Sequence, residues 1–168
     1  MMRIAPAGLL TGLLIFSACS PRYVPSEIPI DPSRIPGLRV AGPVKIVNAQ
    51  TSSEDTVTPL GPNSLSVNYK EYTERAIKFL KTELERRGAV VSDSASKVIR
   101  FSITDVKMYR VFTCIINYTV ETGDGYVRGF EGSSESWNFK TAADGALANV
   151  VMGVLQNDKI LSYLGASQ

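Results

Sequence analysis

The feature that most restricts this chain is strict alternation of apolar side chains near its middle. Ile99, Phe101 and Ile103 alternate with Arg100, Ser102 and Thr104 within Val98 to Met108, and Phe112, Cys114, Ile116, Tyr118 and Val120 do the same within Val111 to Thr122. A period of two sends successive side chains to opposite faces of a pleated strand, so both runs read as half-buried strands. The phase changes near Asp105, which predicts a bulge. Thr122-Gly123-Asp124-Gly125 carries hairpin-turn chemistry, and Tyr126 to Gly132 returns after it. Three consecutive antiparallel strands follow.

Two segments switch to the helical period. Asn68 offers an N-cap with Glu71 three residues on, and Tyr69, Tyr72, Ala76, Phe79, Leu80 and Leu84 recur on one face up to the stop signal Gly88. Glu71 and Arg75, Glu74 and Lys78, and Glu83 and Arg87 are spaced i,i+4, the pattern of a solvated face. Thr141 with Asp144 reads as a second capping box ahead of Ala143, Leu147, Val150, Val151, Val154 and Leu155, and Ile160, Leu161 and Leu164 extend that face or build a short further helix. Val44 to Ala49 and Ala89 to Val91 are strand candidates, whereas Gln50 to Ser66, with Pro59, Gly61 and Pro62, reads as a long loop. The expected fold is α+β, two helices on one face of a mainly antiparallel sheet in the order β-α-β-β-β-α. Its first strand is free to pair in parallel after the helical crossover.

Composition narrows the chemistry. None of the 168 residues is histidine, which removes the commonest general base and metal ligand. The 18 Lys and Arg and 16 Asp and Glu are interspersed, so no basic footprint for nucleic acid is visible. Gly123-Asp124-Gly125 joins strands and lacks the third glycine and following helix of a phosphate loop. Glu131 and Glu135 have nothing to set them at a catalytic separation and read as exposed edge charges. Asn117-Tyr118-Thr119 matches a glycosylation sequon in mid-strand. Trp137 and Phe139 read as an apolar plug between helix and sheet, or as a ligand platform. Cys114 reads as a buried apolar residue, with a reactive thiol as the alternative. No catalytic, cofactor-binding or metal-binding residues are assigned, and no enzyme activity is expected.

The N-terminus is informative about place. Arg3, the apolar stretch Ile4 to Phe16, and the small residues Ser17 and Ala18 form a secretory signal over 1–18. The stretch is shorter than the about 20 apolar residues of a membrane span. Phe16-Ser17-Ala18-Cys19 resembles the lipobox of bacterial lipoproteins, with Phe16 in place of the usual Leu. The resemblance implies acylation of Cys19 as the mature N-terminus, where sulfur supplies the nucleophile for the thioether. Ser20 lacks the aspartate that retains such proteins in the inner membrane, which implies export to the inner leaflet of the outer membrane, facing the periplasm. Residues 19–43 hold six of the nine prolines and read as a tether, of which residues 20–37 reach up to roughly 55 Å from the bilayer, or as a segment packed along the domain. The α+β domain is then assigned to 44–168, with independent folding expected from about Arg39 to Leu164.

The VKIVNA strand, the helix ending in ELERRGAVVSD (Glu83 to Asp93) and the terminal NVVMGVLQNDKILSYL (Asn149 to Leu164) together resemble the YajG-like small lipoproteins of Gram-negative bacteria. The resemblance implies a fold and an envelope location without a catalytic site, and the missing catalytic constellation favours a non-catalytic binding or structural module. The expected partners are the membrane, through Cys19, and an envelope protein or lipid. Lipopolysaccharide-assembly lipoproteins and auxiliary lipoproteins of lipid transport share a similar layout, so a transport accessory is the alternative.

Overall fold

The strand that the alternation demands sits at the centre of the sheet. A computed structural model describes residues 22–35, 40–60, 63–109 and 113–165; the signal, Cys19, Ser20, Val111 and Phe112 lie outside the described residues. The strands are β1 (Pro43–Asn48), β2 (Asp55–Leu60), β3 (Asn63–Asn68), β4 (Val90–Val91), β5 (Lys97–Tyr109), β6 (Thr113–Thr122) and β7 (Val127–Glu135). The helices are α1 (Tyr69–Arg86), α2 (Phe139–Leu155) and α3 (Asp158–Leu164). One sheet has the order β4-β1-β5-β6-β7, with β1 parallel to β4 and β5 and the rest antiparallel.

The bulge falls between Ile103 and Asp105, so Val106 and Met108 rejoin Ile99, Phe101 and Ile103 on the buried face. Cys114, Ile116, Tyr118 and Val120 extend that face across β6, and Phe101, Tyr118 and Phe130 stack across three strands at 5.3 Å centroid spacing. The loop between β6 and β7 closes with Gly125 at φ +92°, the left-handed position a three-residue hairpin loop reserves for glycine. α1 lies over β1 and β5, and α2 over β6 and β7. The opposite face carries Arg100, Ser102, Asn117, Thr119, Glu121 and Glu131 and is partly or fully exposed.

Asn68 caps α1 through Oδ1, which accepts from the Glu71 N–H at 3.1 Å, while its Nδ2 donates to the Ser53 carbonyl and to Asp55. One side chain thus joins the start of β2 to the start of α1. α2 begins earlier than the sequence predicts. Asn138, in extended backbone, accepts from the Thr141 N–H at 2.9 Å, so Thr141 and Asp144 do not form the box. Asn is the stronger cap, and Asp144 is engaged elsewhere. Ile160, Leu161 and Leu164 build the separate α3, the second of the two readings the sequence left open, so the described residues hold three α-helices rather than the two of the expected order.

Two further expectations are corrected. The predicted loop at Gln50 to Ser66 contains most of the hairpin β2–β3, paired from Asp55–Asn68 to Leu60–Asn63. Leu65 and Val67 point into the core, and Thr58 Oγ1 donates to the Val106 carbonyl at 2.8 Å. Burial of that alternating pair outweighs the turn-rich composition around it. The proline-rich segment is likewise no free spacer over 22–35. Pro25, Ile30 and Ile35 are buried at five-residue intervals, and Ile30 and Ile35 belong to the main core, so the folded body starts well before residue 44. The strap also takes over charges on α1: Arg22 pairs with Glu71 at 2.6 Å, and Glu27 with Lys78 at 3.1 Å and Arg75 at 3.9 Å. Glu83 is buried between Arg86 and Arg87, so this part of α1 is no solvated face.

Candidate functional site

Sheet order makes β7 an edge strand, and its own alternation decides which groups it offers. Thr122 N–H donates to the Tyr126 carbonyl at 2.9 Å, which sets the residues of β7 that bond β6 as Arg128, Phe130, Gly132 and Ser134. The backbone groups of Val127, Gly129, Glu131 and Ser133 therefore point outward. Asn149 of α2 donates Nδ2 to the Ser133 carbonyl at 2.5 Å and covers that end. The stretch left open runs from Val127 to Glu131, about 17 Å of strand. Val127, Arg128, Gly129 and Glu131 are exposed there, and the Arg128 guanidinium stands 5.7 Å over the Phe130 ring.

A second feature lies where β1 stops and β5 continues. Side chains replace the missing strand: Gln50 Nε2 donates to the Ile103 carbonyl at 2.7 Å, and the Ile103 N–H donates to Thr73 Oγ1 at 2.9 Å. Between β2 and the far half of β5 this leaves a groove of about 410 Å³, walled by Val57, Pro59, Val106, Met108 and Tyr109. Its polar corner is Asp105, which holds Lys107 Nζ at 2.7 Å and accepts from the Tyr69 hydroxyl at 3.3 Å. Burial, then the Asp105 charge, raises the Tyr69 phenol, and the same carboxylate raises Lys107.

The structure separates the other candidate residues. Cys114 is buried in β6, and burial pushes its thiol up to about 12, which leaves it protonated near neutrality. Glu131 and Glu135 lie on the same exposed strand, with their backbone positions about 13 Å apart. Gly123-Asp124-Gly125 is the hairpin loop, and Asn117 sits within β6. Phe139 packs edge-on against Tyr23 at 5.5 Å, but Trp137 is 94% exposed, so the paired apolar plug does not form. Among the described residues no group of three or more Asp, Glu, Cys or His is placed to hold a metal, and no helix is long and apolar enough to cross a membrane.

Sequence reasoning misses the groove, and of its two readings of the proline-rich segment the structure gives the packed one over 22–35. A period-two signal existed in Ser64-Leu65-Ser66-Val67 and could have revealed the second strand of the hairpin. No family model matches the chain, and no curated protein and no solved structure matches it either.

Proposed function

We propose that the chain is a YajG-like envelope lipoprotein, anchored through Cys19 to the inner leaflet of the outer membrane, and that its periplasm-facing domain is a non-catalytic binding or structural module. The observation that carries this reading is the open stretch of β7. Outward N–H and C=O groups of Val127, Gly129 and Glu131 offer an extended partner segment a strand-addition site, while Arg128 and Glu131 restrict which segments pair. Lipid attachment is supported by the signal architecture and the Phe16-Ser17-Ala18-Cys19 sequence.

Val127→Pro tests the edge. The Val127 N–H points away from β6, so proline removes an outward donor without breaking the ladder. Partner crosslinking in cells should weaken while thermal stability is nearly unchanged; unaltered crosslinking refutes the edge. Mass spectrometry should find an acylated Cys19 peptide, and membrane fractionation should recover the protein with the outer membrane. The transport-accessory reading draws on the apolar β2–β5 groove. It requires that Val57→Asp reduce crosslinking to a photoactivatable acyl lipid.

A further inference from the structure

We infer that Trp137 is a second membrane contact, an interfacial anchor that seats one end of the domain on the bilayer to which Cys19 tethers it; this rests on the lipoprotein reading. An exposed aromatic side chain alone says little. Its position carries the inference. The strap is pinned at its beginning, because Tyr23 Oη and the Ser26 N–H both donate to Asp144 Oδ1, at 2.6 and 2.7 Å. The Tyr23 ring packs against Phe139 and has Lys140 Nζ 5.9 Å from its centroid. The start of the strap and the start of α2 therefore occupy one spot on the surface.

Cys19 is four residues before Tyr23, and four residues reach at most about 14 Å. A thioether-linked lipid at Cys19 sits at headgroup depth, so the Tyr23–Phe139 contact is held within that distance of the membrane surface. Trp137 precedes Phe139 by two residues, at most about 7 Å of chain, and is 94% exposed. The interfacial layer is about 5–8 Å deep per leaflet and is where indole rings partition, their apolar body toward the acyl chains and their N–H toward water. Lys140 brings a cation to the same spot, suited to anionic headgroups. β7 ends at Glu135, two residues before Trp137, so Val127 stands roughly 26 Å away at the other end of that strand, with the open edge directed into the periplasm.

Trp137 is the single tryptophan of the chain, so its fluorescence reports this site alone. The acylated mature protein, beginning at Cys19, is reconstituted into phosphatidylethanolamine–phosphatidylglycerol vesicles, with flotation measured in the same samples. The expected result is a blue-shifted emission, quenching by lipids brominated near the headgroup, and loss of most iodide quenching. The double variant Trp137→Phe, Val127→Trp moves an exposed indole to the far end of β7 and should keep the spectrum and iodide quenching of a water-exposed ring. Floating protein whose Trp137 stays water-exposed overturns the anchor while leaving the lipoprotein reading intact. Protein that fails to float overturns both. Equal lipid quenching of the two indoles, or a blue shift that follows protein density and ignores brominated lipid, also overturns the anchor, the latter by assigning Trp137 to a protein contact.

Discussion

Replacing Gly132 with alanine should dislodge α2 from β7, and the structure gives the size of the effect. A Cβ at this position would meet Val150 Cγ2 at 2.6 Å, the Val150 amide nitrogen at 2.8 Å and the Ala146 carbonyl oxygen at 2.9 Å. Side-chain rotation can relieve only the first contact, because the other two atoms belong to the backbone of a hydrogen-bonded helix. That helix buries Ala142, Ala146, Leu147, Val150 and Val151 against the sheet, so a shift large enough to admit the methyl group loosens the whole layer. Overpacking costs about 1–3 kcal/mol, and rigid neighbours place this site near about 3 kcal/mol. For a domain of this size the melting temperature should fall by roughly 6–12 °C. Gly129→Ala is the control. Its nearest neighbour would be the Tyr118 carbonyl at 3.9 Å, an ordinary contact, and relief of glycine's backbone entropy makes it neutral or stabilising by up to about 1 kcal/mol. Thermal and urea denaturation of both variants decide the matter. If Gly132→Ala melts with the wild type, the close approach of α2 to β7 is not what holds these layers together.

Further outcomes follow from the same packing. Ile35→Ala should cost about 2–3 kcal/mol, and a chain beginning at Val40 should melt below one beginning at Arg22, because the strap belongs to the core; equal melting points refute that. Tyr72 is buried with its hydroxyl unpartnered among the described residues, so Tyr72→Phe should be neutral or stabilise by up to about 1 kcal/mol in urea titrations, whereas a clear loss would mean the hydroxyl has a partner. Iodoacetamide near pH 8 should leave Cys114 unmodified in the folded protein and alkylate it in denaturant; rapid labelling of the native state contradicts its burial. Burial and then the Asp144 bond push the Tyr23 phenol up to about 12 from an ordinary value near 10, so its contribution is complete below pH 10 and declines as pH rises toward 12. Wild type should therefore lose its stability advantage over Tyr23→Phe across that window, and a pH-independent difference would exclude the linkage.

What the sequence by itself determined is local in origin. The β5–β6–β7 meander is legible because Ile99 to Val120 repeat every second residue and Gly125 supplies the turn that joins β6 to β7. α1 is legible because Asn68 precedes a helical apolar stripe that ends at Gly88. Even the bulge beside Asp105 is written in the phase of the alternation. Tertiary structure alone decided the rest. The strap has no helical or strand period to read, since its prolines exclude regular hydrogen bonding, and only the assembled core gives Ile30 and Ile35 somewhere to bury. Asp144 could serve a helix cap or a distant tyrosine, and the arrival of Tyr23 settles which. β7 is open because the four other strands of its sheet lie on one side of it, and tertiary packing covers Phe139 with Tyr23 while leaving Trp137 exposed. Each of these outcomes depends on partners far apart in the chain, which compete for the same surface only after the local elements have formed.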